Sequence, residues 1–331
     1  MITENWGMLG HAWAVDMLQQ HVANGTIRHA YLISGPPGLG RRTLALRLAQ
    51  ALNCTQPPAA GQPCGTCRDC RQIEAMQHPD LAVIQAESEG SVLKVDQVRE
   101  VQHSLSLKPY QSKFRVALFL RFQEANDNAA NALLKTLEEA PAHAVLLLTA
   151  DSAEQLLPTI TSRCEILRLR PLSTDQVAAY LQDHGANPDQ ARLLAHLSGG
   201  RPGYARRLLA DPSLLEKRQE YLASLGTMLS ASRAEKFAYA EKLARDKQAL
   251  RQALLTWLAY WRDVMIRSAQ AGIPIANADR ADEIEALAGQ VGLSQTRRLV
   301  QSLEGALARL EQNVNPRLLL EVLLLDLPKA A

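Results

Sequence analysis

Apolar positions along the first half of the chain fall into short blocks whose spacing switches between the helical and the strand period. Ala14–Ala23 carries Val15, Leu18 and Val22 on one helical face, and the turn Asn24-Gly25 leads to an apolar strand, Ala30–Ile33. Thr43–Leu52 repeats Leu44, Leu48 and Leu52 at helical spacing. Leu81–Ile84 reads as a second buried strand, and Val95–Leu107 as a helix striped by Val95, Val98, Val101 and Leu105. Arg115–Leu120 is a third strand. The helix Asn126–Glu139 follows, capped by Asn126 or Asp127, turning Leu133, Leu134 and Leu137 inward, and halted by Pro141. Val145–Leu148 and Glu165–Leu169 add two strands. Strands alternating with helices in this way predict a parallel α/β sheet covered on both faces.

Beyond Pro171-Leu172 the pattern is helical throughout. Ser173-x-x-Gln176 is a capping box for a helix to about Asp183, Asn187-Pro188 opens a helix ended by Gly199-Gly200, and a third fits Gly203–Ala210. After Asp211-Pro212, helices are predicted over Leu214–Leu229, Ala231–Ala244, Lys247–Ser268, Asp282–Ala288, Ser294–Gln312 and Pro316–Leu327. The run Leu318–Leu325, broken only by Glu321, is too short for a bilayer and reads as a buried helix at a domain or subunit core. The expected division is an α/β domain over 1–170 with a module at about 54–70, a small helical part over 171–210, and a larger helical domain over 211–331.

Composition adds exclusions. A chain of 331 residues with 47% hydrophobic and 21% charged residues reads as ordinary soluble protein, and a net charge of +2 with 5% aromatics opposes an extended nucleic-acid surface. Met1–Trp6 contains Glu4 and no apolar centre, so no signal peptide is expected. Without a membrane-length apolar run either, a cytoplasmic location is expected.

Four of the five cysteines, Cys54, Cys64, Cys67 and Cys70, form a C-x9-C-x2-C-x2-C segment. In a reducing compartment such clustering points to a metal site, and four thiolates favour structural zinc. An iron–sulfur cluster and unliganded thiols are the competing readings.

The stretch Leu32–Thr43 has the outline of a phosphate-binding loop. A strand runs into Gly35-Pro36-Pro37-Gly38-Leu39-Gly40, and a helical pattern begins at Arg42. The glycines permit the tight turn that aims backbone N–H groups at an anion. The residues that handle phosphate and metal are replaced. Arg41 stands where a lysine reaches the phosphates, and Arg42 where a hydroxyl holds magnesium. Thr43 is one position late, a turn of about 100° on a helix. The strand Arg115–Leu120 ends in Phe119-Leu120-Arg121-Phe122 with no Asp-Glu pair, and Glu124 lies too far on to replace one. A nucleotide-binding fold without its own hydrolytic site is expected, with phosphate or nucleotide at Gly35, Gly38, Gly40, Arg41 and Arg42 disfavoured. No polymerase carboxylate constellation is visible.

His29–Gly35, the four-cysteine segment, Asn131–Glu139, Ser162-Arg163-Cys164 and Asn315-Pro316-Arg317 together resemble the AAA+ clamp-loader family of the bacterial DNA polymerase III holoenzyme, over most of the chain from about Leu9 to Leu327. The resemblance implies an AAA+ α/β domain, a helical lid and a C-terminal collar joining subunits into a pentameric ring with ATPase subunits and a delta subunit. It implies ATP-driven loading of a sliding clamp onto primed DNA. Degenerate members of the family do not hydrolyse ATP but offer an arginine finger to a neighbour. Arg163, in the intact Ser-Arg-Cys motif, is the implied finger; read without the family, it is an ordinary surface or salt-bridged arginine just before the strand Glu165–Leu169. Thr149 falls where active members sense the γ-phosphate, and Gly203, with Arg201 and Arg206 nearby, where they carry a lid-helix arginine. Two alternatives are an active ATPase motor subunit, opposed by Arg41, Arg42 and the missing acids, and a zinc module that binds nucleic acid, opposed by charge and composition.

Overall fold

The computed structural model describes residues 4–88, 90–311 and 314–328. Met1–Thr3 and Gln312, the end expected for one helix, lie outside the described residues. The chain packs as two compact units. One runs to Leu172 and includes Arg201–Tyr204; the other is Ser173–Gly200 with the chain from Ala205 onward.

In the first unit the elements are α1 (Ala12–Ala23), β1 (Ala30–Ser34), α2 (Arg41–Asn53), α3 (Arg68–Glu74), β2 (Leu81–Ile84), α4 (Val95–Ser106), β3 (Arg115–Phe119), α5 (Asp127–Glu138), β4 (Ala144–Ala150), α6 (Pro158–Thr161) and β5 (Glu165–Arg168). The five strands form one parallel sheet in the order β2-β3-β4-β1-β5. Every residue of β1 and β4 is buried, as a strand covered on both faces requires. The strand period of two divides the core. Tyr31, Ile33, Val116, Leu118, Val145 and Leu147 pack with Val15 and Leu18 of α1 and Leu44 and Leu48 of α2. Leu32, Ala117, Phe119, Leu146 and Leu148 pack on the other face with Val98 and Leu105 of α4 and Leu133 and Leu137 of α5. The parallel sheet with helices on both faces is the α/β architecture that the alternation of strands and helices predicts.

The second unit holds α7 (Thr174–Asp183), α8 (Pro188–Ser198), most of α9 (Pro202–Ala210), α10 (Ser213–Ser230), α11 (Arg233–Leu243), α12 (Lys247–Ser268), α13 (Ala281–Val291), α14 (Leu293–Glu311) and α15 (Pro316–Leu325). Its core is built on α12, whose Trp257 and Trp261 are fully buried. The helix expected from Ala231 starts two residues later, because Ser232 accepts the Glu235 N–H and Glu235 returns a bond to the Ser232 N–H. The Ser173–Gln176 capping box and the Asn187 cap form as the sequence implies. The helix α15 buries Leu319, Leu320, Leu323 and Leu324 and leaves Leu318, Val322 and Leu325 exposed, so it is apolar on both faces and buried within this chain on one. Among the described residues no helix is long and apolar enough to cross a membrane.

One buried amide ties the two ends of this fold's first layer. Asn53, the last residue of α2, donates to the Phe114 carbonyl and accepts the Phe114 N–H, each at 2.9 Å, just before β3 begins. Asn53→Ala should therefore leave two backbone groups unpaired and lower the unfolding free energy by about 2–4 kcal/mol in urea titrations. A loss below about 0.5 kcal/mol would show that water replaces the amide.

Candidate functional site

The loop after β1 keeps the shape of a phosphate cradle. Gly35 has φ 145°, and a Cβ there would lie 2.6 Å from the Leu169 carbonyl oxygen, so the backbone admits only glycine. Gly38 has φ 92°, and its carbonyl accepts the Gly203 N–H at 2.8 Å. The segment Arg201–Tyr204 thus lies directly on the loop, and a Cβ at 203 would come within 3.0 Å of the Gly38 oxygen. That contact is a local reason for glycine at 203.

One of the two charges that follow the loop, that of Arg41, is paired inside the chain. Arg41 opens α2 one residue earlier than expected, and its side chain is only 9% exposed. Its Nη2 donates to Asp151 Oδ1 at 2.7 Å. Asp151 directly follows β4, which pairs with β1, so sheet register delivers the carboxylate. A cation at a helix N-terminus opposes the macrodipole, and Asp151 offsets both that and the burial. Arg42 and Thr43 are exposed.

The acid nearest the end of β3 is engaged within the chain. Glu124 closes the short turn Phe122–Glu124, where its Oε1 accepts from Arg121 Nε at 2.9 Å and from the Gly90 N–H at 2.8 Å. Thr149 is buried within β4; its hydroxyl accepts the Arg121 N–H at 2.9 Å and donates to the Phe119 carbonyl.

Arg163 lies in the turn between α6 and β5, just before the strand as expected. Its side chain is 36% exposed; Nη2 donates to Glu138 Oε1 at 2.7 Å and Nη1 to the Thr159 carbonyl at 2.9 Å. Burial pushes the adjacent Cys164 thiol up to about 12, which disfavours the reactive thiolate, and Cys164 lies apart from the other four cysteines.

The Sγ atoms of Cys54, Cys64, Cys67 and Cys70 all lie within 4.8 Å of one another, with Cys54–Cys67 at 4.0 Å and Cys64–Cys70 at 3.9 Å. Four sulfurs at 2.3 Å from one tetrahedral ion would be about 3.8 Å apart. The set therefore fits a metal, and no disulfide joins these cysteines. Burial raises the Cys64 thiol, but the N–H groups of Cys67 and Thr66 outweigh it and hold the thiol down at about 6. Burial pushes Cys70 upward. The helix α3, which periodicity missed, starts with Cys67 as its cap and carries Cys70 in its first turn. Seven residues are too few to show a helical stripe.

Behind the cluster is a polar network that sequence reasoning did not find. Asp69, between two of the cysteines, accepts from Thr55 Oγ1 at 3.2 Å and bonds His78 Nε2 at 3.2 Å. His78 Nδ1 accepts the Asp80 N–H at 3.0 Å. Fully enclosed, the Asp80 carboxylate accepts the N–H groups of Tyr110, Gln111 and Ser112 at 2.6, 2.9 and 3.0 Å and pairs with Arg115 at 3.5 Å. Burial raises the Asp80 carboxyl, yet these donors outweigh it and hold it below the ordinary carboxylate value. The loop they fix presents Tyr110, 80% exposed.

Two family models match the chain. "DNA polymerase III, delta subunit" covers residues 10–173, and "DNA polymerase III, delta subunit, C terminal" covers residues 212–329. The DNA polymerase III subunit delta' of Pseudomonas aeruginosa is 33% identical, with 96% of each chain covered. That of Bacillus subtilis is 29% identical over 95% of this chain and 94% of its own. The DNA polymerase III subunit tau of Escherichia coli is 34% identical over 58% of this chain and 30% of its own.

Two measurements follow from the cysteine module and its network. Chelation of bound metal should speed amide exchange at Tyr110–Ser112 at least tenfold, because Asp69 and His78 connect the cluster to that loop; unchanged exchange would separate the two. Asp80→Asn should cost about 2–4 kcal/mol at neutral pH. A depressed carboxyl contributes fully above the unfolded value near 3.9 and loses its contribution as pH falls through the folded value. The gap between wild type and variant should therefore close below about pH 4 in acid unfolding, and a constant gap down to pH 2 would be inconsistent with ionised Asp80.

Proposed function

The chain belongs to the delta-prime family of bacterial DNA polymerase III clamp-loader subunits, and from that premise we propose that it is a non-hydrolysing subunit acting on a neighbour's ATP through Arg163. One observation carries the reading: the only arginine of the phosphate loop that turns inward, Arg41, is neutralised by Asp151 of its own chain. A nucleotide entering the loop would have to displace a carboxylate and would then meet neither a magnesium-binding hydroxyl nor a free acid at Glu124.

Arg163 has the properties the trans role needs. It stays charged, is partly exposed, and presents a fork that can grip two phosphate oxygens. The sister ATPase subunits and a delta subunit would be its partners in a hetero-pentamer, with the sliding clamp and primed DNA engaged by the assembly. The four cysteines would hold structural zinc and leave no open position for chemistry. On this reading residues 171–210 serve as the lid and 211–331 as the collar, where Leu318, Val322 and Leu325 of α15 supply apolar surface for a neighbouring subunit.

Replacing Arg163 with alanine tests the proposal in the assembled loader. The ATPase site that faces it should lose about 10³–10⁵ in turnover while the complex stays intact, and the isolated chain should turn over no Mg-ATP with or without the change. Wild-type hydrolysis by an intact mutant complex, or steady turnover by the isolated chain, would refute it.

A further inference from the structure

Arg163 is not waiting free. Its guanidinium is held by three acceptors of its own chain: Glu138 Oε1 at 2.7 Å, the Thr159 carbonyl at 2.9 Å and Ser162 Oγ at 3.3 Å. Two of these are neutral and local to the turn that carries the arginine. The third is a carboxylate from the last residue of α5, a helix that packs against α6. Glu138 and Glu139 both stand at the C-terminal end of α5, where the macrodipole disfavours negative charge. Arg163 offsets that cost, so helix end and guanidinium stabilise each other. The pair is partly open to solvent, with 36% of the arginine and 51% of the glutamate side chain exposed, and exposed pairs of this kind are weak.

We propose that Glu138 is a positioning residue that keeps Arg163 latched until a neighbour's nucleotide claims it. This rests on the reading of Arg163 as a trans-acting arginine. A γ-phosphate carries more charge than a carboxylate and accepts through three oxygens, so it competes successfully for the fork. The exchange breaks the Glu138–Arg163 pair when the nucleotide-bound interface forms, before any bond to phosphorus changes. Its cost therefore falls on nucleotide affinity and not on the chemical step. A neighbour carrying no triphosphate leaves Arg163 on Glu138, which gives the arginine two settled positions.

The test uses the complex assembled from this chain and its ATPase partners, with assembly verified by gel filtration. The variants are Glu138→Gln, Glu138→Ala, Arg163→Ala and the Glu138→Gln/Arg163→Ala double change. Either Glu138 variant should lower the KM for ATP about two- to fivefold, the range expected on releasing a partly exposed ion pair, and keep kcat within about twofold. Adding Glu138→Gln to Arg163→Ala should change neither constant, because the latch has nothing left to hold. An unchanged KM in the single variants, a KM shift that survives in the double variant, or a fall in kcat on changing Glu138 alone would each overturn the latch. Wild-type turnover by the assembled Arg163→Ala complex would instead remove the trans-acting arginine itself, a result distinct from any of these.

Discussion

A guanidinium buried at the N-terminus of a helix has to find a negative charge, and here Arg41 finds it in Asp151. The pairing is possible only because β1 and β4 are neighbours in register, Ser34 beside Ala150, so that the residues just beyond both strands emerge at the same edge of the sheet. The glycine geometry at Gly35 and Gly38 persists, which preserves the turn from β1 into α2, while charge that would meet phosphate is satisfied within the chain. Without that counter-charge the cation would be both buried and opposed by the helix dipole.

The same helix that begins at Arg41 ends beside the cysteine cluster. Cys54 follows its last residue, Gln50 donates to the Cys70 carbonyl at 2.7 Å, and Arg47 pairs with Glu74 at the far end of α3 at 2.6 Å. The cysteine module is therefore bolted to α2 on one side and, through Asp69 and His78, to the start of β2 and the Tyr110 loop on the other. A metal held by all four cysteines would have no catalytic opening to fill, and would let an irregular insertion carry buried polar groups that a small apolar core could not organise.

Much of this was legible in the sequence, for reasons that differ by element. The strands could be read because β1 and β4 are continuous apolar runs, and the long helices because their stripes repeat over several turns. The cysteine cluster was legible from spacing alone, and the four sulfurs do converge. What escaped was what depends on residues far apart in the chain. Nothing around Asp151 marks it as the partner of Arg41, since only the pairing of β1 with β4 brings them together. Glu138 sits in a stretch whose leucines explain themselves as core, and its bond to Arg163 appears only when α5 and α6 pack. His78 and Asp80 look like loop residues before β2, yet they are among the most buried polar groups of the domain. The apolar row of α15 was readable as a helix, and the fold shows which of its residues the chain itself covers.

The order of strands also sets a clock on synthesis. β1 lies between β4 and β5, so both of its neighbours are encoded more than a hundred residues downstream. At ~5–20 residues per second a ribosome takes roughly 6–25 s to reach β4 after completing β1. During that interval one of the most apolar strands of the protein has no native partner, although α1, α2 and the cysteine module are already available to cover one side of it. The nascent chain must then close its longest loops last, a topology that folds slowly and favours whatever shields β1 in the meantime.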